Sequence, residues 1–352
     1  VILASLGIAL ATTLVTLPAA RAVARRFHVL DHPNERSSHV TPTPRAGGVA
    51  ILLGMALALG LGPLRLLGAG GAAFAAGGLL LALVGMLDDR FGLSPWPRLA
   101  CQALAAAAVV AACGGFDRLP LPSPLDVALG PFGAGLAVLW IVAVVNFFNF
   151  MDGIDGLAGL QGLVTAGTLA LALAPVEPAA AAVAAALAGG CAAFLLFNWS
   201  PASVFLGDAG SGLAGYTLAV APFLAGDAAR DGGVLLAGTS LVVFLLDASS
   251  CLLRRMLRGR RLYEAHREHL YQRWVFTGVG HATVASSLGL AAAVASAAAL
   301  AGWRTGSAAW SWVGLGIGGV AVAAEWACVR RREQRPKDQG DRDGARSEAS
   351  SG

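Results

Sequence analysis

Apolar stretches close to the length of a bilayer crossing recur through this sequence, and no other feature restricts its fold so tightly. A hydrocarbon core about 30 Å thick is spanned by roughly 20 apolar residues in a helix. Eleven stretches meet or approach that length: 1–20, 46–63, 66–87, 99–113, 132–150, 157–174, 179–197, 209–226, 233–253, 280–302 and 308–328. Within lipid every backbone N–H and C=O must pair inside the protein, so stretches of this kind become helices. Composition agrees, with 56% hydrophobic and 13% charged residues. Soluble domains carry roughly 45–50% apolar and about 25% charged residues, and disordered chains need still more charge; both classes are excluded. The 46 glycines suit close helix-to-helix contact. The sequence therefore predicts an all-α polytopic membrane protein with about 11 transmembrane helices. These form a single domain over 1–328, followed by a charged, disordered tail over 329–352.

The net charge of +4 does not imply nucleic acid, because the basic residues lie between the apolar stretches. A positive-inside bias accounts for them. The first stretch could be read as a signal peptide with a cleavage pattern at Ala20-Arg21-Ala22. However, no basic region precedes it, and Arg21, Arg25 and Arg26 follow it directly. An uncleaved helix with its N-terminus outside fits better. Eleven crossings then place 21 of the 25 basic residues on the cytoplasmic side, leaving Arg65, Arg118, Arg230 and Arg304 outside. The C-terminus falls in the cytoplasm. The five cysteines show no metal-like spacing and read as small apolar side chains.

The polar clusters share that cytoplasmic side. Asp88 and Asp89 end an apolar helix, where paired carboxylates oppose the helix dipole and invite a cation; a solvated helix end beside Arg90 is the bland alternative. Asn146, Asn149, Asp152 and Asp155 recur every three residues, so a continued helix would align four oxygen-bearing groups in one stripe. Such hard donors suit Mg²⁺ shared with substrate phosphates, although Asp152 or Asp155 could instead cap the next helix. Asp208, within Phe205-Leu206-Gly207-Asp208-Ala209-Gly210, opens the eighth stretch, where a helix N-terminus also suits a phosphate. Phe205 offers a stacking face. His266 and His269 flank Arg267 amid further arginines; two histidines are a poor zinc set, and an arginine-rich rim fits a diphosphate better. Asp31 simply starts a polar loop.

Taken together, PTPRAGG (42–48), the Asp88–Asp89 pair, the NxxNxxDGIDGLAG run (146–159), FLGDAGS (205–211) and HREHLYQR (266–273) resemble the polyprenyl-phosphate N-acetylhexosamine-1-phosphate transferases. The resemblance covers nearly the whole chain except its tail. It implies Mg²⁺-dependent transfer of a sugar-1-phosphate from a UDP-sugar to an undecaprenyl-phosphate-like lipid, releasing UMP, with Mn²⁺ a candidate substitute. It places metal ligands at Asn149 and Asp208. It assigns catalytic roles to Asp88, Asp89, Asp152, Asp155, His266 and His269, and substrate contacts to Arg45, Asn146, Phe205 and Arg267. The implied partners are the lipid acceptor, a UDP-N-acetylhexosamine donor and the bilayer, with room for a homodimer; the implied place is a bacterial inner membrane, with the site facing the cytoplasm.

The resemblance is less close to the phospho-MurNAc-pentapeptide translocase. That enzyme carries a triple histidine where this chain reads HREH, and Thr-Met where it has Pro44-Arg45. The HREHLYQR wording is nearer to O-antigen-initiating enzymes, which favours a 6-deoxy-N-acetylhexosamine donor. A transporter is the rival from another class. Its sites lie near the midplane, whereas Asp247 and Glu325 are the main ionisable residues in these stretches.

Overall fold

The computed structural model describes residues 1–32, 41–261 and 267–334. The chain opens with α1 (Ile2–Arg26), an antiparallel pairing of β1 (Leu30–Asp31) with β2 (Thr43–Pro44), and α2 (Gly47–Gly60). A single turn, α3 (Pro63–Leu66), leads to α4 (Gly68–Phe91), α5 (Pro95–Cys113) and α6 (Gly133–Phe150). Next come α7 (Leu157–Leu173), α8 (Pro178–Asn198), α9 (Gly207–Val220), α10 (Asp227–Ser240) and α11 (Val242–Leu257). The short α12 (Leu270–Phe276) precedes α13 (His281–Thr305) and α14 (Ala308–Glu333).

All the apolar stretches are helical, and the protein is a multi-pass all-α membrane protein. Seven helices among the described residues are long and apolar enough to cross a membrane: α1, α4, α5, α6 with the turn before it, α8, α13 and α14. An eighth span results if α10 and α11, bent by 73° relative to each other, count as one. Length alone does not yield eleven crossings. The helices α2, α7 and α9 have 14, 17 and 14 residues, short of the roughly 20 that a crossing takes. The ninth stretch is also not one straight helix; Gly238 and Ser240 precede its break, and small residues of this kind mark sharp bends. At the other end, α14 continues past 328 to Glu333, so Arg330, Arg331 and Arg332 belong to a helix.

The alanine-rich α8 forms the centre of the bundle, buried over 78% of its most apolar window against 22% for α1 and α14. Small side chains let α1, α2 and α7 close around it. Successive helices carry their polar ends to two opposite faces. One face gathers Asp31, Arg45, Asp89, Asn149 and Asp208. The other holds Arg118, Asp126 and Asp231. Arg230 is no loop residue: it is 2% exposed near the start of α10, and donates to the carbonyls of Cys113 and Gly115.

Candidate active site at one end of the bundle

The first turn of α9 is held by its neighbours' lack of side chains. A Cβ on Gly48 would stand 2.2 Å from the Gly210 nitrogen, and one on Gly85 would stand 2.4 Å from the Ala209 nitrogen. Backbone therefore packs on backbone, which brings α2 and α4 against the base of Asp208. Extended backbone secures the same junction: Phe205 N–H donates to the Pro44 carbonyl at 2.9 Å, and the Phe205 carbonyl accepts from Gly47 N–H at 3.0 Å. This pairing unites the PTPRAGG and FLGDAGS segments. It also sets the half-buried Phe205 beside Arg45.

The helix N-terminus that sequence reasoning reserved for a phosphate is occupied by a carboxylate. Asp89 accepts from the N–H groups of Asp208 (3.0 Å) and Ala209 (3.3 Å), capping α9 from α4. A negative charge at this position contributes about 0.3–1 kcal/mol, and up to ~2 kcal/mol where partly buried. Arg45 stands 3.3 Å from the same carboxylate and 3.0 Å from Asp31. Asp31 is thus part of the charge network and not a mere loop start. Burial opposes the Arg45 charge, but Asp31, Asp89 and Asp208 outweigh it and raise its pKa.

Asp88 turns the other way, accepting from Leu93 N–H at 2.7 Å and pairing with Arg98. The same guanidinium reaches Asp208 at 3.7 Å and Asn149 Oδ1 at 3.5 Å. Asn149 Nδ2 donates to Asp208 (2.5 Å) and to Ser211 (2.8 Å), so α6 and α9 meet at the two residues expected to bind metal. A half-turn of the amide would present its oxygen at that point. Arg98 was missed because it counted only as a charge on a cytoplasmic loop. The signal was its place just inside α5, after Pro95 and Pro97, which starts the helix facing the acidic pair. Ser211 was legible only as part of the FLGDAGS wording.

The four-residue stripe does not form. The helix ends at Phe150, and Gly156, with φ of 80°, turns the chain before α7, so the three-residue spacing stops having helical meaning. Asn146 donates to Gln102 (2.6 Å) and to its own helix, at the α5–α6 contact. Asp152 stays on the side of Asp208 and Asp89; burial and these two carboxylates push its pKa well above the usual range. Asp155 faces elsewhere, 3.3 Å from His281 Nδ1 at the start of α13, and accepts from Ala202 N–H at 3.1 Å. Burial would raise its pKa, but His281, Ala202 and Ser200 prevail and lower it. Neither residue caps α7, whose N-cap is Gly156.

His266 lies outside the described residues. His269 is not on an exposed rim: it is 2% exposed, with Nδ1 3.4 Å from Asp247. Arg267 stacks over Phe276 at 4.9 Å. Arg255 and Arg260 both pair with Glu268, so part of the expected basic rim is an internal clamp. Sequence reasoning missed His281, a lone histidine opening an apolar run.

Among the described residues no group of three or more His, Cys, Asp or Glu is arranged to hold a metal unaided. The donor chemistry nonetheless fits Mg²⁺, which takes one or two carboxylates and completes its shell with waters and substrate phosphates. Asp208 and Ser211 supply hard oxygens at one point, a half-turn of the Asn149 amide would add a third, and Arg98 provides the positive charge that the converging carboxylates require.

A family model described as Glycosyl transferase family 4 matches residues 72–225, which include Asp88, Asn149 and Asp208. The decaprenyl-phosphate N-acetylglucosaminephosphotransferase of Mycobacterium tuberculosis is 32% identical, over 80% of this chain and 77% of its own length. The probable undecaprenyl-phosphate N-acetylglucosaminyl 1-phosphate transferase of Bacillus subtilis is 26% identical, over 78% of this chain and 77% of its own. A phospho-N-acetylmuramoyl-pentapeptide-transferase of Lactobacillus delbrueckii is 33% identical, but over only 49% of this chain and 56% of its own. The chain belongs to glycosyl transferase family 4, within the polyprenyl-phosphate N-acetylhexosamine-1-phosphate transferase superfamily that its motifs resemble.

Proposed function

We propose that this protein transfers an N-acetylhexosamine-1-phosphate from a UDP-sugar to a polyprenyl phosphate such as undecaprenyl phosphate, at the cytoplasmic face of a bacterial inner membrane. One observation carries the reading: Asp88, Asp89, Asn149, Asp208, Arg45 and Arg98 converge at one end of an apolar bundle. A lipid substrate and a polar nucleotide can meet only at such a boundary. The names of the relatives supply the acceptor and sugar classes.

In the reaction, an oxygen of the lipid phosphate attacks the phosphorus that bears the sugar. The bridging P–O bond breaks, and its electron pair leaves with UMP. Phosphoryl transfer depends mainly on positioning and charge neutralisation. Mg²⁺, held by Asp208 and Asn149, would supply Lewis-acid stabilisation of the diphosphate oxygens. Arg98 and Arg45 offer planar donor forks to phosphate oxygens, and each is already oriented by carboxylates. The lipid phosphate, with a second pKa of about 6, is largely ionised at neutral pH, so no strong base is required. Phe205 offers the uracil ring a face.

The donor is read as a UDP-N-acetylhexosamine, including 6-deoxy sugars, and not the MurNAc-pentapeptide nucleotide; the HREH wording supports this. Purified enzyme with undecaprenyl phosphate should release UMP from one of a panel of UDP-sugars. Silence across the panel would sink the reading, and brisk turnover of the pentapeptide donor would reverse the sugar assignment. Uptake of the donor by proteoliposomes without UMP release would favour a transporter.

A further inference from the structure

Asp247 is fully buried on α11. An unpaired carboxylate there would be strongly destabilising, so its partners are informative. One oxygen accepts from Leu270 N–H at 2.9 Å and the other from Tyr271 N–H at 3.2 Å. His269 Nδ1 stands 3.4 Å from the first oxygen. Residues 269–271 are thus pinned to α11 where they enter α12.

Tyr271, also fully buried, carries this constraint onward. Its hydroxyl donates to the Phe150 carbonyl at 2.8 Å. That carbonyl belongs to the last turn of α6, where no intrahelical donor is available. A Cβ on Gly153 would stand 2.2 Å from the Tyr271 hydroxyl oxygen, so the turn after α6 closes directly onto the phenol. The His269 ring packs near both Phe150 and Tyr271, with centroids 6.0 and 5.9 Å away. Asn149, which holds Asp208 and Ser211, immediately precedes the bonded carbonyl. Asp152 follows it by two residues.

We infer that Asp247 and Tyr271 are positioning residues: through the Leu270 and Tyr271 amides and the Phe150 carbonyl, they fix the end of α6 and the 151–156 turn so that Asn149 and Asp152 face Asp208. Neither residue touches substrate. Residues 269–271 act, in this assignment, as a brace for the acidic site as well as a neighbour of it. The catalytic part of the inference rests on the proposed transferase reading.

Tyr271→Phe removes one oxygen and keeps the ring. In purified, detergent-solubilised protein, amide hydrogen exchange in the 150–157 segment should rise severalfold, while exchange at 116–129 on the opposite face stays unchanged. In the UMP-release assay kcat should fall about tenfold, with KM for the nucleotide sugar within twofold. Asp247→Asn should loosen both the 268–273 and the 150–157 segments; Asp247→Glu should restore part of the protection. Wild-type exchange at 150–157 in Tyr271→Phe would overturn the coupling, and unchanged kcat would overturn its catalytic consequence. If the wild-type protein itself releases no UMP, the transferase reading fails and the exchange result alone decides whether the brace exists.

Discussion

Arg98 stands 3.7 Å from the carboxylate of Asp208 while its guanidinium pairs with Asp88, so one cation joins two acids from different helices. Asp88 has a side chain only 5% exposed, and Leu93 N–H satisfies just one of its oxygens. Removing Arg98 leaves that carboxylate without its countercharge. Arg98→Met should lower stability by about 2 kcal/mol, below the 3–5 kcal/mol of a fully buried pair because the arginine is partly exposed. It should reduce turnover by at least a hundredfold. Arg98→Lys keeps the charge and loses the fork, so it should recover stability better than activity. Thermal unfolding in detergent and UMP release check both parts; full activity in Arg98→Met would remove it from the site.

The backbone contact between Gly48 and Gly210 gives a prediction about packing. Alanine at 48 must displace the first turn of α9 or the start of α2, since its Cβ would lie 2.2 Å from a backbone nitrogen. Overpacking of this kind costs about 1–3 kcal/mol, and here it also shifts Asp208. Gly48→Ala should therefore be less stable and nearly inactive. Gly7→Ala has nothing within 4 Å of the new carbon and should leave both properties intact. Equal melting temperatures for the two variants would contradict the close approach.

The Asp155–His281 contact predicts a pH dependence of stability. Asp155 has its pKa lowered in the folded protein, where burial is outweighed by His281, Ala202 and Ser200. A carboxylate with a depressed folded pKa contributes stability above its unfolded value of about 3.9. That contribution is lost as pH falls from there through the folded pKa. His281→Gln removes one of the lowering partners, so acid unfolding should begin at a higher pH than in the wild type. The difference should be complete at neutral pH and fade toward acid. Melting temperatures measured from pH 7 down to 3 test it; identical acid limbs would show that the pair carries no linkage.

These tests fall partly on residues that the sequence displayed openly and partly on residues it concealed. Apolar length marked where helices lie, because lipid forces backbone pairing, yet it could not say that α10 and α11 bend apart or that α2, α7 and α9 are short. Asp88, Asp89, Asn149 and Asp208 stood out as acids and amides at the ends of oily runs, and all four meet. The three-residue spacing misled at Asp155, since periodicity predicts a shared face only while the helix lasts. Arg98, Asp31 and His281 were hidden for a common reason. Each gains its meaning from a partner that the fold brings to it, 14 residues along the chain for Asp31 and 126 for His281, and nothing local to the residue reveals that partner.

The convergence of Asn149 and Asp208 leads to the test of the metal. Asp208 brings a charged oxygen, Asn149 a neutral one that a turn of the amide makes available, and Ser211 a hydroxyl 2.8 Å from that amide. With two diphosphate oxygens and waters, this set would satisfy the octahedral preference of Mg²⁺. Asp208→Asn preserves size and removes the charge; α9 stays capped, because Asp89 accepts from the backbone N–H groups of Asp208 and Ala209 and not from its side chain. The fold should survive while metal-supported turnover falls at least a hundredfold. Asn149→Ala should weaken the same step and raise the Mg²⁺ concentration needed for half-maximal rate. Asp31 is unsuitable as a control, since it pairs with Arg45. Asp126, which pairs with Arg118 on the opposite face, serves instead, and Asp126→Asn should behave as wild type. EDTA should abolish activity, with recovery on adding Mg²⁺ or Mn²⁺. Purified variants assayed across a Mg²⁺ titration, each first shown to be folded, provide the measurement. Wild-type rate and metal response in Asp208→Asn would take Asp208 out of the site, and with it the role assigned to the helix end it occupies.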